Sequence, residues 1–344
     1  MEAGGQCVKG AGVSAGGAPS LRGLVEDALA QVPRGKVTTY GDIARALGDV
    51  RAARAVAHVL ATNAHPQTVA CHRVIMKDGA LGGYAFGGPA AKAALLAQEG
   101  VQIRGDRVQR LETVVVQNLQ LTPLFAQLAQ RQSLLAAKVR LRDGEPAPRI
   151  AIGVDASYAP GDDKAWAAAC AFQIGTGKPI DSVVVDFVPP IPYVPGYLAF
   201  RELPGIVAAV KALPPESRKG AVVLVDGQGI LHPRRCGIAS MMALEVGLPA
   251  VGVAKSKLVG TPVGSPRGLR GATIRDLSVE GETRGALVRA EGTARDLVVS
   301  PGSGISLRQC VALIARMASG QPKGPAPLLA ADGESRRARS DASG

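Results

Sequence analysis

Aromatic residues are scarce in this chain of 344 residues, where Phe, Trp and Tyr together make up 3%. Aliphatic side chains and alanine must therefore fill its cores, and a surface that stacks on nucleobases has few rings to use. Long apolar runs are missing too: no stretch of about 18 apolar residues is uninterrupted, and residues 1–20 lack the basic start and apolar segment of a signal peptide. We therefore expect no transmembrane helix, no membrane partner and a cytoplasmic location.

Cysteines and acidic residues are also few. The chain has 5 cysteines, none of them in a C-x-x-C pair. This argues against a disulfide scaffold or a zinc site and favours a reducing compartment. The 28 Asp and Glu are outnumbered by 40 Lys and Arg, which gives a formal net charge of +12. Such a charge favours a polyanionic partner such as nucleic acid, although a charge that only keeps the protein soluble would look the same.

The remaining composition is typical of a globular protein with two domains. Residues 20–116 predict a first domain of short helices, and residues 117–320 a second domain. In the second, three strand-like runs are followed by helix, strand, helix and strand, which predicts a mixed α/β fold like that of ribonuclease H. Residues 1–19 and 321–344 have little periodic apolar content, so we expect disordered tails there.

Two helices are predicted next to a possible nucleophile in the first domain. YGDIARALG and RAARAVAHVL indicate a helix-turn-helix pair of the kind that places its second helix on DNA, although most such pairs only build a core. Downstream, Cys71 is followed by His72. A free thiol has a pKa of about 8.5 and needs a base to attack carbon at neutral pH, whereas an isolated cysteine is more often a small buried hydrophobe.

The segments GKVTTYGDIARALG, RAARAVAHVLATN, ACHRVI, GALGGYAFGG and LLAQEG follow one another between residues 20 and 110. Together they resemble the DNA-binding domain of the O6-alkylguanine-DNA alkyltransferases, a helical domain of the winged helix-turn-helix type. The resemblance implies that Cys71 irreversibly accepts the alkyl group of a flipped guanine, with no cofactor.

The same resemblance implies roles for six other residues. His72 draws the proton from Cys71 through water, Glu99 orients His72, and Asn63 braces the site. Extracting a base requires a side chain that enters the stack and a pocket that receives the base. The residues implied for DNA handling are Arg54 in the base stack, Tyr40 at the phosphate and Tyr84 at the lid of the pocket.

One departure from this family concerns the turn before the thiol. Ala70 stands where the family's P-C-H-R motif has proline, which predicts a looser turn before Cys71. Alkyltransferase-like proteins share this domain but lack the acceptor cysteine and only bind lesions. The presence of Cys71 favours transfer, and the alternative is a lesion-sensing module that recruits the second domain.

Two aspartates of the second domain lie in or directly after predicted strands. Asp155 is inside IAIGVDASY and Asp226 ends AVVLVD. For a single such aspartate a turn or helix cap is the commoner explanation, but buried carboxylates can also bind a metal. In a ribonuclease H-like layout these two and Glu202, on the intervening helix, meet at one sheet edge. Oxygen-only ligands of this kind suit Mg²⁺ or Mn²⁺.

Five segments of the second domain are similar to endonuclease V over about residues 118 to 320. They are GVDASY, PPIPYVPGYLAFRE, VLVDGQGILHPRRCGIAS, PAVGVAKSKL and VVSPGSGISL. The resemblance implies a metal-dependent nuclease that cuts at the second phosphodiester bond 3′ of deoxyinosine, with inosine in RNA as an alternative substrate.

The resemblance to endonuclease V also assigns site residues. Asp155, Glu202 and Asp226 bind Mg²⁺ or Mn²⁺, and Lys255 contacts the scissile phosphate. The substrate-binding residues it implies are Tyr193 as a wedge at the lesion, Gly227 and Gly229 beside the flipped hypoxanthine, and His232 of the HPRR motif without a defined role.

The family's S-P-G-H sequence ends in Ser303 here. The resemblance assigns the missing histidine to the metal or its water, so its loss predicts slow or Mn²⁺-dependent cleavage. Together the two resemblances predict a monomeric, bifunctional DNA repair protein that acts on double-stranded DNA with alkylated guanine or deoxyinosine. The alternative is a lesion-sensing module joined to an inosine-specific nuclease or inosine-binding domain.

Overall fold

The computed structural model describes residues 6–8, 20–143, 147–161, 164–269 and 271–342. They form two compact units, of which the first contains residues 20–130 and 190–195 and the second contains the rest. The sequence predicts a division at 116/117, whereas the units divide at 130/131, inside a helix. The tail predicted over 1–19 lies outside the described residues, except that Gln6–Val8 form strand β1. Within the described residues, no helix is long and apolar enough to cross a bilayer.

The first unit consists mainly of short helices. Its elements are α1 (Leu21–Ala30), β2 (Thr38–Thr39), α2 (Tyr40–Ala46), α3 (Ala53–Ala61), β3 (Val74–Ile75), α4 (Gly88–Gln98), β4 (Ile103–Arg104), β5 (Arg107–Val108), α5 (Leu111–Val114) and the start of α6 (Leu124–Ala136). Thr39 caps α2 by accepting a hydrogen bond from Asp42 N at 3.0 Å. The predicted helix pair is confirmed as α2 and α3, which pack on each other.

The turn after α2 requires a glycine. Gly48 has a φ of +95°, and a Cβ there would lie 2.7 Å from the backbone N of Ala126. Only glycine meets both conditions without strain. A separate apolar cluster lies behind β3 and α4; its buried members are Val37, Ile75, Leu81, Leu96, Val101 and Val108.

The second unit is built on a ten-stranded sheet. Its further strands are β6 (Ile150–Tyr158), β7 (Ala165–Gln173), β8 (Pro179–Phe187), β9 (Ala221–Val225), β10 (Ala250–Ala254), β11 (Thr261–Leu269), β12 (Ala272–Val279), β13 (Glu282–Arg289) and β14 (Leu297–Pro301). The strand order is β1-β8-β7-β6-β9-β10-β14-β13-β12-β11. Strands β6, β7 and β8 are antiparallel, and β9 and β10 run parallel to β6. The predicted order of three strands, helix, strand, helix, strand is confirmed.

Helices cover both faces of this sheet. They are α7 (Leu198–Ala212), α8 (Pro215–Arg218), α9 (Ile238–Val246), α10 (Leu307–Ala318) and α11 (Ala326–Asp341). Side chains alternate between faces along a strand. Accordingly, Ile152 and Val154 of β6 pack with α7 and α9, while Ala151 joins the cluster that contains residues of α10 and α11.

The C-terminal segment predicted to be a tail is helix α11, which packs on β6 and β7. The prediction of disorder over 321–344 is wrong because the buried stripe of α11 includes small residues, among them Ala331 and Ser335, which give little apolar signal. Small residues allow close approach of the backbones. A Cβ on Gly153 of β6 would lie 2.2 Å from the carbonyl carbon of Pro327.

Candidate active sites

In the first unit, Cys71 begins the short 3-10 helix Cys71–Arg73, directly before β3. Its side chain is buried, at 4% exposure. Asn63 Nδ2 lies 3.6 Å from Cys71 Sγ as a donor, and Asn63 Oδ1 accepts a hydrogen bond from His65 N at 2.9 Å. The amide of Asn63 therefore links the end of α3 to the thiol, which is the geometry that a bracing role requires.

The turn before the thiol is formed by Ala70, which has φ −72° and ψ 56°. Cys71 N donates a hydrogen bond to Val69 O at 2.7 Å. These values are those of an inverse γ-turn. Proline fixes φ at about −65°, so Ala70 has a φ that proline would also adopt, and the looser turn stays a prediction.

The carboxylate of Glu99, at the end of α4, organises the residues that follow the thiol. Glu99 Oε1 lies 2.9 Å from His72 Nε2, and Arg73 donates to both carboxylate oxygens, with the shortest contact at 2.7 Å. Gly35 N donates to Glu99 Oε2 at 3.3 Å. Burial opposes ionisation, but the hydrogen bonds from Arg73, His72 and Gly35 outweigh it and lower the pKa of Glu99 to about 2. Glu99 is therefore a fixed negative charge against His72.

Two tyrosines lie near Cys71. Burial raises the pKa of Tyr40, and the charge of Cys71 raises it further. Burial also raises the pKa of Tyr84, with contributions from the charge of Cys71 and a hydrogen bond to it. Tyr84 packs edge-on against Phe86 with ring centroids 5.5 Å apart. The structure thus brings the predicted phosphate-turning and lid residues together around the thiol.

Arg54 and Lys92 occupy opposite environments. Arg54, the residue implied to enter the base stack, is exposed on α3. Lys92, on α4, is fully buried, and its ammonium donates to Val74 O and Leu81 O at 2.6 Å each. Burial lowers the pKa of Lys92 to about 8, while the nearby Cys71 charge acts in the opposite direction.

Sequence reasoning missed both Arg73 and Lys92. Arg73 was available as the residue after His72, and its guanidinium also donates to Val32 O at 2.8 Å. Lys92 had a clearer signal, because it is the single charged residue within the helical segment GPAAKAALLAQ. A lone lysine among apolar helix positions indicates either an exposed face or a buried cation with specific acceptors.

In the second unit, strand pairing brings the predicted carboxylates together. Val154 of β6 pairs with Val225 of β9, so the next residues, Asp155 and Asp226, are level with each other. Lys255 follows β10, the neighbouring parallel strand, and its Nζ donates to Asp226 Oδ2 at 2.7 Å. This hydrogen bond raises the pKa of Lys255. Asp226 and Lys255 therefore meet at the carboxyl ends of β9 and β10, level with Asp155 inside β6.

A cavity of about 180 Å³ opens between these strand ends and α11. Three carboxylates and three cations line it. They are Asp155, Asp226 and Asp332 with Lys255, Lys323 and Arg336. Burial raises the pKa of Asp155 to about 8, and the charge of Asp226 adds to this, while a hydrogen bond from Ala156 N at 2.8 Å opposes it. Asp155 therefore ionises reluctantly until a cation compensates its charge.

Glu202 is held on α7, outside the lining of this cavity. Its Oε1 accepts a hydrogen bond from Tyr158 OH at 2.7 Å, and the guanidinium carbon of Arg201 lies 3.8 Å from the centre of the Tyr158 ring. Burial raises the pKa of Glu202 to about 7, against the hydrogen bond from Tyr158, and Asp226 contributes to the rise. Glu202 is thus electrostatically coupled to the aspartates from its position on α7.

The cavity fits a divalent cation, because its acidic lining offers oxygen donors only. Among the described residues, no three acidic, histidine or cysteine side chains are already gathered as a ligand set. Instead Lys255 pairs with Asp226, and Arg336 Nε lies 2.8 Å from Asp332 Oδ1. A bound divalent ion would compete with these cations for the carboxylates, so Asp155, Asp226 and Asp332 are the residues that would hold it.

Asp332 is the residue of this cavity that sequence reasoning missed most completely. It lies on α11, inside the segment predicted to be disordered, so the sequence predicts no role for it. Its charge adds to the rise in the pKa of Asp155, and it therefore belongs to the same electrostatic group. The available signal was the helical spacing of Leu328, Ala331 and Ser335.

The glycines after β9 have a packing role. A Cβ on Gly229 would lie 2.0 Å from Pro301 O, and a Cβ on Gly227 would lie 2.5 Å from Ile238 Cγ2. Gly229 N donates to Ser300 Oγ at 2.8 Å. The absence of a side chain at these two positions therefore lets protein segments approach each other, and the approach of a flipped base to their amides stays a prediction.

His232 is buried and bonded to the backbone through both ring nitrogens. Its Nδ1 accepts a hydrogen bond from Arg234 N at 3.1 Å, so its Nε2 is the nitrogen that donates to Gly196 O at 3.2 Å. At 3% exposure it holds the turn before α7, and its contact with nucleic acid stays a prediction. Tyr193, the predicted wedge, is 55% exposed.

Ser303 lies just after β14, at the opposite end of the strands from the carboxylates. Strand β14 runs antiparallel to β10, with Pro301 paired to Val251, so Ser303 is level with residue 249. Asp226 is level with a position about four residues further along β10, so Ser303 and Asp226 are separated by roughly 13 Å along the strand direction. Ser303 Oγ accepts a hydrogen bond from Arg140 N at 3.0 Å. The expectation that position 303 serves the metal is therefore wrong.

A thiol with a His–Glu relay in one unit and a carboxylate cavity on a ribonuclease H-like sheet in the other define a protein with separate transferase-type and nuclease-type sites. The family model of endonuclease V matches residues 133–333. That of the 6-O-methylguanine DNA methyltransferase DNA-binding domain matches residues 21–101. The first match extends into α11, which accords with the place of Asp332 in the cavity.

Two similar proteins are named as bifunctional methyltransferase/endonucleases, and a similar solved structure is an endonuclease V. A bifunctional methyltransferase/endonuclease of Picrophilus torridus is 35% identical over 68% of this chain and 74% of its own length. A second, from Thermoplasma volcanium, is 30% identical over 83% of this chain and 80% of its own length. The crystal structure of endonuclease V from Streptomyces avermitilis has a TM-score of 0.57 at 30% identity, covering 64% of this chain and 94% of that one.

The chain belongs to the endonuclease V family and, through its additional DNA-binding domain, to the bifunctional methyltransferase/endonucleases. Both resemblances found in the sequence are confirmed, as is the expected combination of a DNA repair methyltransferase domain with a nuclease domain.

Proposed function

We propose that this protein repairs two kinds of damaged base through two separate sites. The first unit transfers an alkyl group from O6-alkylguanine in DNA irreversibly to Cys71. The second cleaves at the second phosphodiester bond 3′ of deoxyinosine. The observation that carries the proposal is the presence of a complete reactive group in each unit: the thiol with its His72–Glu99 relay, and the carboxylate cavity with Lys255.

In the transfer step, the sulfur of Cys71 forms a bond to the alkyl carbon while the bond between that carbon and O6 breaks. The thiol proton passes through water to His72, and guanine, the leaving group, keeps the electron pair of the broken bond and takes up a proton from solvent water. Glu99 stabilises the imidazolium that forms, because it stays negatively charged beside the ring. Asn63 fixes the sulfur, and Arg54 fills the space in the stack from which the base has left.

The transfer is tested by mass spectrometry of the protein after incubation with duplex DNA that contains one O6-methylguanine. The expected result is a protein whose mass has grown by one methyl group, located on Cys71, in a reaction that stops after one equivalent. Tight binding without a change in mass would instead identify a lesion-sensing module.

In the cleavage step, water adds to phosphorus and the bond to the leaving oxygen breaks, with a proton transferred to that oxygen. A divalent ion, Mg²⁺ or Mn²⁺, would supply charge neutralisation and a more acidic water. Asp155, Asp226 and Asp332 would hold it, with Glu202 completing the acidic group from α7. Lys255 is positioned by Asp226 and would stabilise charge on the scissile phosphate.

Cleavage is tested with a labelled duplex that contains one deoxyinosine, incubated with Mg²⁺, Mn²⁺ or EDTA. We expect a metal-dependent nick one nucleotide beyond the lesion and none in EDTA. Binding without a nick under any metal would identify an inosine-recognition domain. The same assay with inosine in RNA decides whether RNA is also a substrate.

We further propose that the protein acts as a monomer in the cytoplasm on double-stranded DNA. The four cysteines whose side chains are described, Cys71, Cys170, Cys236 and Cys310, are all free thiols, which supports a reducing compartment. The net charge of +12 supports a nucleic-acid partner. Light scattering with and without duplex DNA tests the oligomeric state.

A further inference from the structure

The nuclease cavity contains two cations for which neither the sequence nor the cleavage step gives a role. Lys323 lies just before α11, and Arg336 lies on α11, one turn after Asp332. Both line the same cavity as Asp155 and Asp226. With Lys255, the lining holds three positive and three negative side chains, whereas the cleavage step gives a role only to Lys255 among these cations.

Arg336 is placed where it can exchange partners. Its Nε lies 2.8 Å from Asp332 Oδ1, and its side chain is 61% exposed. An ion pair with an exposed partner contributes little to stability because solvent screens it, so it separates easily. A metal ion that takes Asp332 as a ligand would release the guanidinium at the rim of the cavity.

A released guanidinium at this place suits one class of ligand. Arginine matches phosphate oxygens with two parallel N–H donors, and lysine adds a second point charge. The cavity lies where the scissile strand must approach the carboxylates, so its anionic ligand is a phosphodiester of the nucleic-acid backbone.

We propose that Lys323 and Arg336 form a phosphate-binding pair for the substrate strand, and that Arg336 moves from Asp332 to this phosphate when the metal binds. This proposal rests on the nuclease function of the second unit. It makes α11 a substrate-binding element of the nuclease as well as a cover of the sheet.

The pair is tested in the full chain by fluorescence anisotropy with a duplex that contains one deoxyinosine, in Ca²⁺ and in EDTA, over a range of salt concentrations. On duplex DNA each lost phosphate contact lowers the slope of log affinity against log salt by about 0.9. We expect this loss in Ca²⁺ for each of Lys323→Gln and Arg336→Gln, with several-fold weaker binding. Arg336→Lys should restore most of the slope.

Arg337 provides a matched control. It lies on the same helix and is similarly exposed, but it pairs with Glu334 at 3.0 Å and is outside the cavity lining. Arg337→Gln should leave the slope in Ca²⁺ unchanged. Equal slopes for Arg336→Gln and Arg337→Gln would overturn the proposal.

A second measurement is the affinity of the protein for the metal. Because Arg336 competes with the metal for Asp332, Arg336→Gln should bind Mn²⁺ several-fold more tightly than the wild type in the absence of DNA. Unchanged or weaker Mn²⁺ binding would contradict the exchange of partners. If the wild type binds the duplex without cleaving it, the nuclease function fails, whereas a cleaving wild type with unaltered slopes in both variants rejects only the phosphate pair.

Discussion

Glu99 Oε1 lies 2.9 Å from Nε2 of His72, the residue that directly follows the candidate nucleophile. The same carboxylate accepts hydrogen bonds from Arg73, so Arg73 fixes its position and shares its charge with His72. The transferase site therefore depends on one acidic residue at the end of α4 for the orientation of its base.

The first prediction concerns this residue. Glu99→Gln keeps the shape of the side chain but removes its charge, so His72 loses the group that stabilises its protonated form. The rate of methyl transfer should fall by about 10²- to 10⁴-fold, the usual contribution of a positioned acid–base group. Single-turnover transfer, followed by mass spectrometry, measures it, and cleavage at deoxyinosine serves as the internal control.

The pKa of Glu99 also sets a pH window. Its folded value of about 2 lies below the ordinary value of about 4.3, so its stabilising effect is present above about pH 4 and is lost as pH falls towards 2. Transfer by the wild type should therefore show no step from Glu99 between pH 5 and pH 9. Titration of the Glu99 carboxyl itself between pH 5 and pH 9, followed by NMR, would contradict the assignment.

The second prediction concerns Asp155, whose folded pKa of about 8 lies above its ordinary value of about 3.9. The folded chain holds this proton more tightly than the unfolded chain. The contribution of Asp155 to stability is thus fully present below about pH 4 and is lost as pH rises towards 8. In EDTA at pH 9, Asp155→Asn should therefore melt several degrees higher than the wild type.

Thermal unfolding with metal completes this test. Mg²⁺ or Mn²⁺ should raise the melting temperature of the wild type, because it binds the folded carboxylates. It should raise that of Asp155→Asn much less. A wild type that is more stable than the variant in EDTA at pH 9 would show that burial of Asp155 carries no penalty.

The third prediction concerns Tyr158, whose hydroxyl donates to Glu202 Oε1 at 2.7 Å and favours the charged form of this carboxylate. Tyr158→Phe removes that hydrogen bond, so the pKa of Glu202 should rise above about 7. Cleavage should be slower at pH 7 and approach the wild-type rate near pH 9. The pH–rate profile of deoxyinosine cleavage measures the shift. An equal loss of rate at every pH would show that Tyr158 has only a structural role.

The fourth prediction concerns Ser303, which lies at the end of the strands away from the carboxylates and accepts a hydrogen bond from Arg140 N. Ser303→His should therefore change neither the cleavage rate nor the preference between Mg²⁺ and Mn²⁺. Cleavage assays with each metal check this. A rise in the cleavage rate of about tenfold or more would show that position 303 contributes to the metal centre.

Motifs that coincide with strands and helices were predictable from the sequence. Asp155 and Asp226 occupy the places in the sheet that the order of strands implies, because a carboxylate inside or directly after an apolar strand has few positions available. The relay from Cys71 to Glu99 was predictable only through resemblance, since residues 28 positions apart meet through tertiary packing.

Three features were not predicted from the sequence. They are the position of Ser303, the helix α11 and the buried Lys92. The direction of β14 decides which sheet edge Ser303 reaches, and no local pattern reports the direction of a strand. Helix α11 is held by small residues: Ala331 packs with Ala168 and Cys170 of β7, and the start of the helix approaches β6 closely because position 153 is a glycine. The contacts of Lys92 are backbone carbonyls, which have no signature in the sequence.

The most direct test of two independent sites in one chain is a paired assay of Cys71→Ala and Asp155→Ala on both substrates. Each variant is incubated with O6-methylguanine duplex and with deoxyinosine duplex in Mg²⁺. Cys71→Ala should lose methyl transfer and keep cleavage, and Asp155→Ala should lose cleavage and keep transfer. Loss of both activities in either folded variant would contradict the account.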